Sequence, residues 1–167
     1  MNGFIARTTP YLSQHMYDGE LYSQTVVAPP IAAGASAYIQ NKTGSRIFHT
    51  ISREHTFDGG GPFLVEIIEA PTVTDGTIEI FAANMNRNST KTHSARFFVN
   101  PTAISGGTII DTIYMPATGT GANAVGFGGE GNERNLKSNT DYLIKVTNNG
   151  TQPGTLWTRV IFFESGN

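Results

Sequence analysis

Arg53, Glu54, His55 and Asp58 form the densest run of side chains of the types that acid–base or metal chemistry uses. A histidine beside carboxylates can move a proton near neutral pH or share a cation, provided the fold closes a pocket around it. The ordinary reading of the same run is a solvated segment with an Arg–carboxylate contact. The remaining histidines, His15, His49 and His93, stand at no spacing that puts two imidazoles on one helical face, as helical zinc sites require. Glu66, Glu69 and Glu79 fall on neighbouring strand-like runs. Whether two of them could pair for glycoside hydrolysis depends on their separation in space, and alternation favours exposing them.

Other chemistries lack their signatures. Gly119 to Gly131 is rich in glycine, but no Gly-Lys-Ser/Thr follows and no helical pattern opens after it, so a phosphate loop is not expected. Neither Ser105 before Gly106-Gly107 nor Ser165 before Gly166 sits in the Gly-x-Ser-x-Gly elbow of a serine hydrolase. The 11 Lys and Arg residues are spread from Arg7 to Arg159 against 13 acidic ones, a net charge of −2, so no basic stripe offers itself to nucleic acid. No run of about 18 apolar residues could span a bilayer, and the start, MNGFIARTTP, lacks an apolar signal core. The expectation is a protein with no enzymatic activity, no cofactor, no metal, no nucleic acid and no membrane.

The composition indicates what positions these residues. Twenty-one threonines and 19 glycines favour short pleated strands joined by frequent turns. Cysteine is absent, so stability rests on packing and backbone pairing. Charged residues make up 14 % of the chain, against about 25 % in typical domains, which lowers the desolvation cost of large protein contacts. From Ser36 onward, β-rich runs alternate with turn signals. They are Ser36 to Gln40, Arg46 to Ser52, Phe63 to Glu69, Thr77 to Ala83, Thr92 to Val99, Thr108 to Met115, Asp141 to Thr147 and Thr155 to Phe163. Alternation turns Tyr142, Ile144 and Val146 inward with Leu143, Lys145 and Thr147 outward, Ile78 and Ile80 inward around Glu79, and Val65 with Ile67 opposite Glu66. Gly119 to Asn135 reads as the longest loop.

Residues 1–35 read as an N-terminal arm or edge strand, with a strand at Leu21 to Val27. A short helix from Thr9, with Leu12 and Met16 on one face and a stop at Asp18-Gly19, is the alternative for its first part. With no crossover helices between strands, the expectation is an all-β antiparallel sandwich of jelly-roll type with roughly eight to ten strands, occupying residues 36–167 behind the extended arm.

Several motifs in the second half resemble those of jelly-roll capsid decoration, or cement, proteins of tailed phages. They are Asn86-Arg87-Asn88-Ser89 between two strands, the Gly-rich loop ending in Gly128-Gly129-Glu130, the run Leu136 to Asn148, and the closing Phe162-Phe163-Glu164. The resemblance covers about 80 residues. It implies a structural virion protein on the capsid exterior, made in the host cytoplasm. Its partners would be the major capsid protein and copies of itself, as a dimer or trimer, with no catalysis. The N-terminal residues match nothing in that pattern.

Contact candidates are the arm's Phe4, Ile5, Arg7, Tyr11, Tyr17 and Tyr22, together with Phe127 in the Gly-rich loop. Packing within the chain is the competing role for each. A rival reading, a receptor- or carbohydrate-binding sandwich of a fibre or tail, calls for an exposed aromatic such as Trp157 or Tyr114. Trp157, inside an apolar run, is expected in the core.

Overall fold

The structure, a computed structural model, describes residues 11–117 and 134–166 and the backbone of 123–128. Phe4, Ile5 and Arg7 and the side chain of Phe127 lie outside the described residues.

A helix α1 (Tyr11–Tyr17) leads into the strands β1 (Leu21–Val27), β2 (Ser36–Lys42), β3 (Ile47–Phe57), β4 (Phe63–Glu69), β5 (Thr72–Thr74), β6 (Ile78–Ile80) and β7 (Ala83–Asn84). There follow β8 (Arg96–Val99), β9 (Thr102–Ser105), β10 (Thr108–Met115), β11 (Asn123–Gly128), β12 (Arg134–Leu136), β13 (Asp141–Asn148) and β14 (Leu156–Ser165). One sheet runs β11-β3-β14-β1-β7, with β12 also on β3. The other runs β10-β4-β13-β2-β8-β6, and β5 pairs with β9 in a separate ribbon. All these pairings are antiparallel.

The pairings are nested. β1 meets β14, β2 meets β13, β3 meets β11 and β4 meets β10, with successive pairs in alternate sheets. A long hairpin of four strands against four has thus been rolled around the sandwich, which is the jelly roll. The strands close because each turns one face inward. Along β4, Phe63, Val65 and Ile67 are buried while Leu64, Glu66 and Ile68 are partly exposed, the period-two pattern of a half-buried strand.

Between the sheets lie two apolar clusters. One gathers Val26, Ile39, Phe57, Phe63, Val65, Val146 and Leu156; the other gathers Tyr22, Phe48, Phe97, Tyr142 and Phe162. In the second, Phe48 stacks on Phe162 at 4.3 Å. Burying each such ring stabilises the fold by about 1.5–3 kcal/mol.

Both outer faces are partly covered as well. Leu21, Ile51 and Phe163 point out of the first sheet, and α1 lays Leu12 and Met16 over them. The helix stops where Gly19 turns to φ 69°, with Glu20 N bonded back to His15 O at 2.9 Å. A Cβ on Gly19 would lie 2.1 Å from Ser89 Oγ, so glycine is needed there for space as well as for φ. On the second sheet, Asp75 takes a hydrogen bond from Gln40 Nε2 at 2.9 Å and Gly76 packs on Phe98, so the β5 end of the ribbon roofs that face.

This roof explains one departure from simple alternation: Leu143 points outward as expected, yet it is fully buried. Ile78 departs the other way, 52 % exposed, because β6 is the last strand of its sheet; Ile80, two residues on, does reach the core. The run Thr77 to Ala83 divides into β6 and β7 on different sheets, and Thr92 to Val99 shortens to β8. Within Gly119 to Asn135, β11 pairs with β3 from Asn123 to Gly128, a strand where a loop was expected. The arm's Leu21 to Val27 pairs along its whole length with β14.

Candidate interaction surfaces

The polar run on β3 is split by the strand's alternation. Arg53 and His55 turn into the sandwich while Glu54 faces out, and Asp58 accepts a hydrogen bond from Thr155 N at the end of the sheet. His55 is 0 % exposed, with Nδ1 at 3.1 Å from Thr158 Oγ1. Burial, and then the charge of Arg53, push its pKa down to about 4, so it is neutral at physiological pH.

The three glutamates do not converge. Glu66 lies 2.7 Å from Lys145 Nζ, Glu69 lies 2.6 Å from Lys137 Nζ, and Glu79 is bidentate with Arg96 at 2.7 and 2.8 Å. The Lys137 ammonium and the Tyr142 hydroxyl hold Glu69 below the usual carboxylate range. Among the described residues no three His, Cys, Asp or Glu side chains group as a metal site.

Of the ten described Lys and Arg side chains, eight lie within 4.0 Å of a described carboxylate. Arg46 and Arg87 do not. Arg46 lines a groove of about 640 Å³ between α1 and the segment before β8. The buried ring of Tyr22 forms part of the groove wall, and Glu20, held by Lys91 at 2.8 Å and His15 at 3.0 Å, borders it. Glu164 is largely committed elsewhere, accepting from Ser94 N at 2.7 Å and Ala95 N at 2.9 Å.

Ser165 also lines this groove and belongs to a hydrogen-bond chain that no sequence motif signals. His49 Nε2 lies 2.7 Å from Ser165 Oγ, and His49 Nδ1 lies 2.7 Å from Asn135 Oδ1. His49 stacks flat on Phe163 at 4.3 Å, and His15 stacks on the same ring at 4.1 Å. The serine and the asparagine stand 116 and 86 positions from the histidine. Only the sheet register, with Asn135 opposite His49 on β12 and β14 running along the other side of β3, brings them together.

The apolar candidates separate into inner and outer. Tyr22 lies in the core, stacked on Phe162 at 5.4 Å, while Tyr11 and Tyr17 stand exposed on α1. Of the other large exposed side chains, sequence reasoning passed over Phe81 and Ile109 and named Tyr114 for the receptor- or carbohydrate-binding reading. Phe81, at the corner where the chain passes from β6 to β7, is 82 % exposed, and Ile109 and Tyr114 project from β10 at the opposite edge of the second sheet. Trp157, expected in the core, is 38 % exposed beside Val27 on the outer face of the first sheet, because Leu156 and Thr158 take the inward positions on β14. Among the described residues no helix is long and apolar enough to cross a membrane.

Comparison with family models, curated proteins and solved structures finds no match to this chain. The class that the fold defines is the antiparallel jelly-roll β-sandwich. Its described cations are largely paired within the chain, and several large apolar side chains are exposed at separate corners.

Proposed function

We propose that the protein is a structural virion component, a decoration protein that binds the outside of a phage head and stabilises contacts between major capsid protein subunits. The observation that carries this reading is the set of large apolar side chains at separated corners of an otherwise well-paired sandwich: Phe81 with Ile78, Ile109 with Tyr114, and Tyr11 with Tyr17 on α1. Aromatic residues of this kind anchor protein interfaces. Contacts spread over several corners let one module touch more than one neighbour, and a standard interface needs on the order of 1,600 Å². The motifs around Asn86 to Ser89 and Leu136 to Asn148 support the same class by resemblance. Repetition within a homo-oligomer would multiply weak contacts into firm attachment.

Mixing the purified protein with intact undecorated capsids tests the proposal. Saturable binding in symmetry-linked copy number is expected, weakened in F81S and Y17S variants that remain folded. Absence of binding to any shell overturns it.

A second reading, recognition of a carbohydrate or receptor by a fibre or tail module, is favoured by Trp157. Its indole is open on a sheet face, with Arg159 and Glu54 on the neighbouring rungs of β14 and β3. Glycan binding that W157A abolishes, without capsid binding, selects this reading.

A further inference from the structure

We propose that Ser165 is an activated nucleophile that accepts acyl groups from esters of anionic carboxylic acids bound in the groove beside α1. The inference goes beyond the decoration reading and does not depend on it. The Asn135 Oδ1 that faces His49 Nδ1 at 2.7 Å is a pure acceptor, so Nδ1 carries the proton. Nε2 is then left with its lone pair toward Ser165 Oγ at 2.7 Å, and the serine hydroxyl donates to it. Nucleophile, base and orienting group thus stand in the order that acyl-transfer enzymes on unrelated folds share.

Three strands hold the set, and the imidazole is fixed further by lying 4° from parallel with the Phe163 ring. Such preorganisation is what distinguishes a reactive serine from an ordinary surface hydroxyl. Ser165 opens onto a groove whose 640 Å³ falls within the roughly 300–1,000 Å³ of small-molecule pockets.

The groove also indicates the substrate class. Lys91 is engaged by Glu20, whereas Arg46 has, among the described residues, only the Thr92 carbonyl at 3.5 Å. A guanidinium in that position suits a carboxylate on the acyl part. In the reaction, Oγ attacks the ester carbonyl carbon as its proton passes to His49 Nε2. The bond to the leaving oxygen breaks, and the departing alcohol takes that proton. Water, deprotonated by the same imidazole, then attacks the acyl-serine, releases the acid and restores the hydroxyl.

The test treats the full chain with a fluorophosphonate probe and with p-nitrophenyl esters of succinate and acetate. A single adduct on the Ser165 peptide by mass spectrometry is expected, together with faster turnover of the succinate ester. S165A, a small change at a half-buried position, should lose both. H49Q should slow acylation by roughly 10²–10⁴-fold. N135A should lower kcat with KM unchanged, the mark of a positioning residue, and R46Q should cut the preference for succinate roughly tenfold. No adduct at Ser165, or equal turnover by a folded S165A, overturns the proposal.

Discussion

Arg53 Nη2 on β3 donates to Asp111 Oδ2 on β10 at 2.8 Å, a charged hydrogen bond between strands of two different sheets. A register shift between Ile109 and Asp111 makes it possible, because the extra residue, Ile110, re-aims the next side chain toward the interior. Arg134 on β12 reaches the same carboxylate oxygen at 3.2 Å. The open side of the sandwich, where β10 and β11 are the end strands, is therefore fastened by one acid shared between two guanidiniums.

Removing that acid strands a largely buried Arg53. D111A should lower stability by about 2–4 kcal/mol in urea denaturation, and replacing Arg53 and Asp111 together with apolar residues should cost less than D111A alone.

Stability should fall on the acid side of neutrality. The folded chain keeps His55 unprotonated down to about pH 4, whereas the unfolded chain takes up the proton near 6.5. The stabilisation is complete above the unfolded value and is lost as pH falls through that window, by about 3 kcal/mol at pH 4. Asp111 and Glu69, both held below their ordinary carboxylate values, extend the loss to lower pH. Denaturation midpoints at pH 7, 5.5 and 4 measure the slope, and H55Q should flatten its upper part.

Tyr142 Oη donates to Glu69 Oε2 at 2.9 Å and accepts from Lys137 N at the same distance. Burial pushes its pKa up to about 12, so the hydroxyl stays protonated and can fill both roles. Y142F leaves the ring in the second core cluster but removes the acceptor of Lys137 N and the donor to Glu69 Oε2, while Glu69 Oε1 keeps Lys137 Nζ. A loss of about 1–2 kcal/mol is expected from equilibrium unfolding.

At one end of the sandwich, the turns before β4 and after β13 touch backbone to backbone. A Cβ on Gly61 would lie 2.6 Å from the Gly150 Cα. G61A must push the two turns apart and should destabilise by about 1–3 kcal/mol, read as a lowered thermal midpoint.

The chain announced its strands wherever one face met the core and the other met water. β4 and β10 span runs read from their turn signals, and β1 spans the strand counted within the arm. Leu143 and Trp157 show where that logic fails. The first faces outward but is roofed by a ribbon whose position depends on long-range packing, and the second sits in an apolar run whose inward places are already taken. Glycine richness hid β11, which is held by β3 and not by its own side-chain preferences. The Ser165, His49 and Asn135 chain was illegible for a different reason: it exists only as a relation between registers.

The nested pairing bears on how the molecule comes into being. β1 and β3 are not hydrogen-bonded to each other; β14 stands between them, as β13 stands between β2 and β4. During synthesis, the first four strands of the roll leave the ribosome long before their partners. Neither half of the sandwich can zip shut until its closing strand arrives, and the last of them, β14, works as a keystone. Maturation should therefore be slow and sensitive to crowding, because the waiting strands present bare backbone to any neighbour.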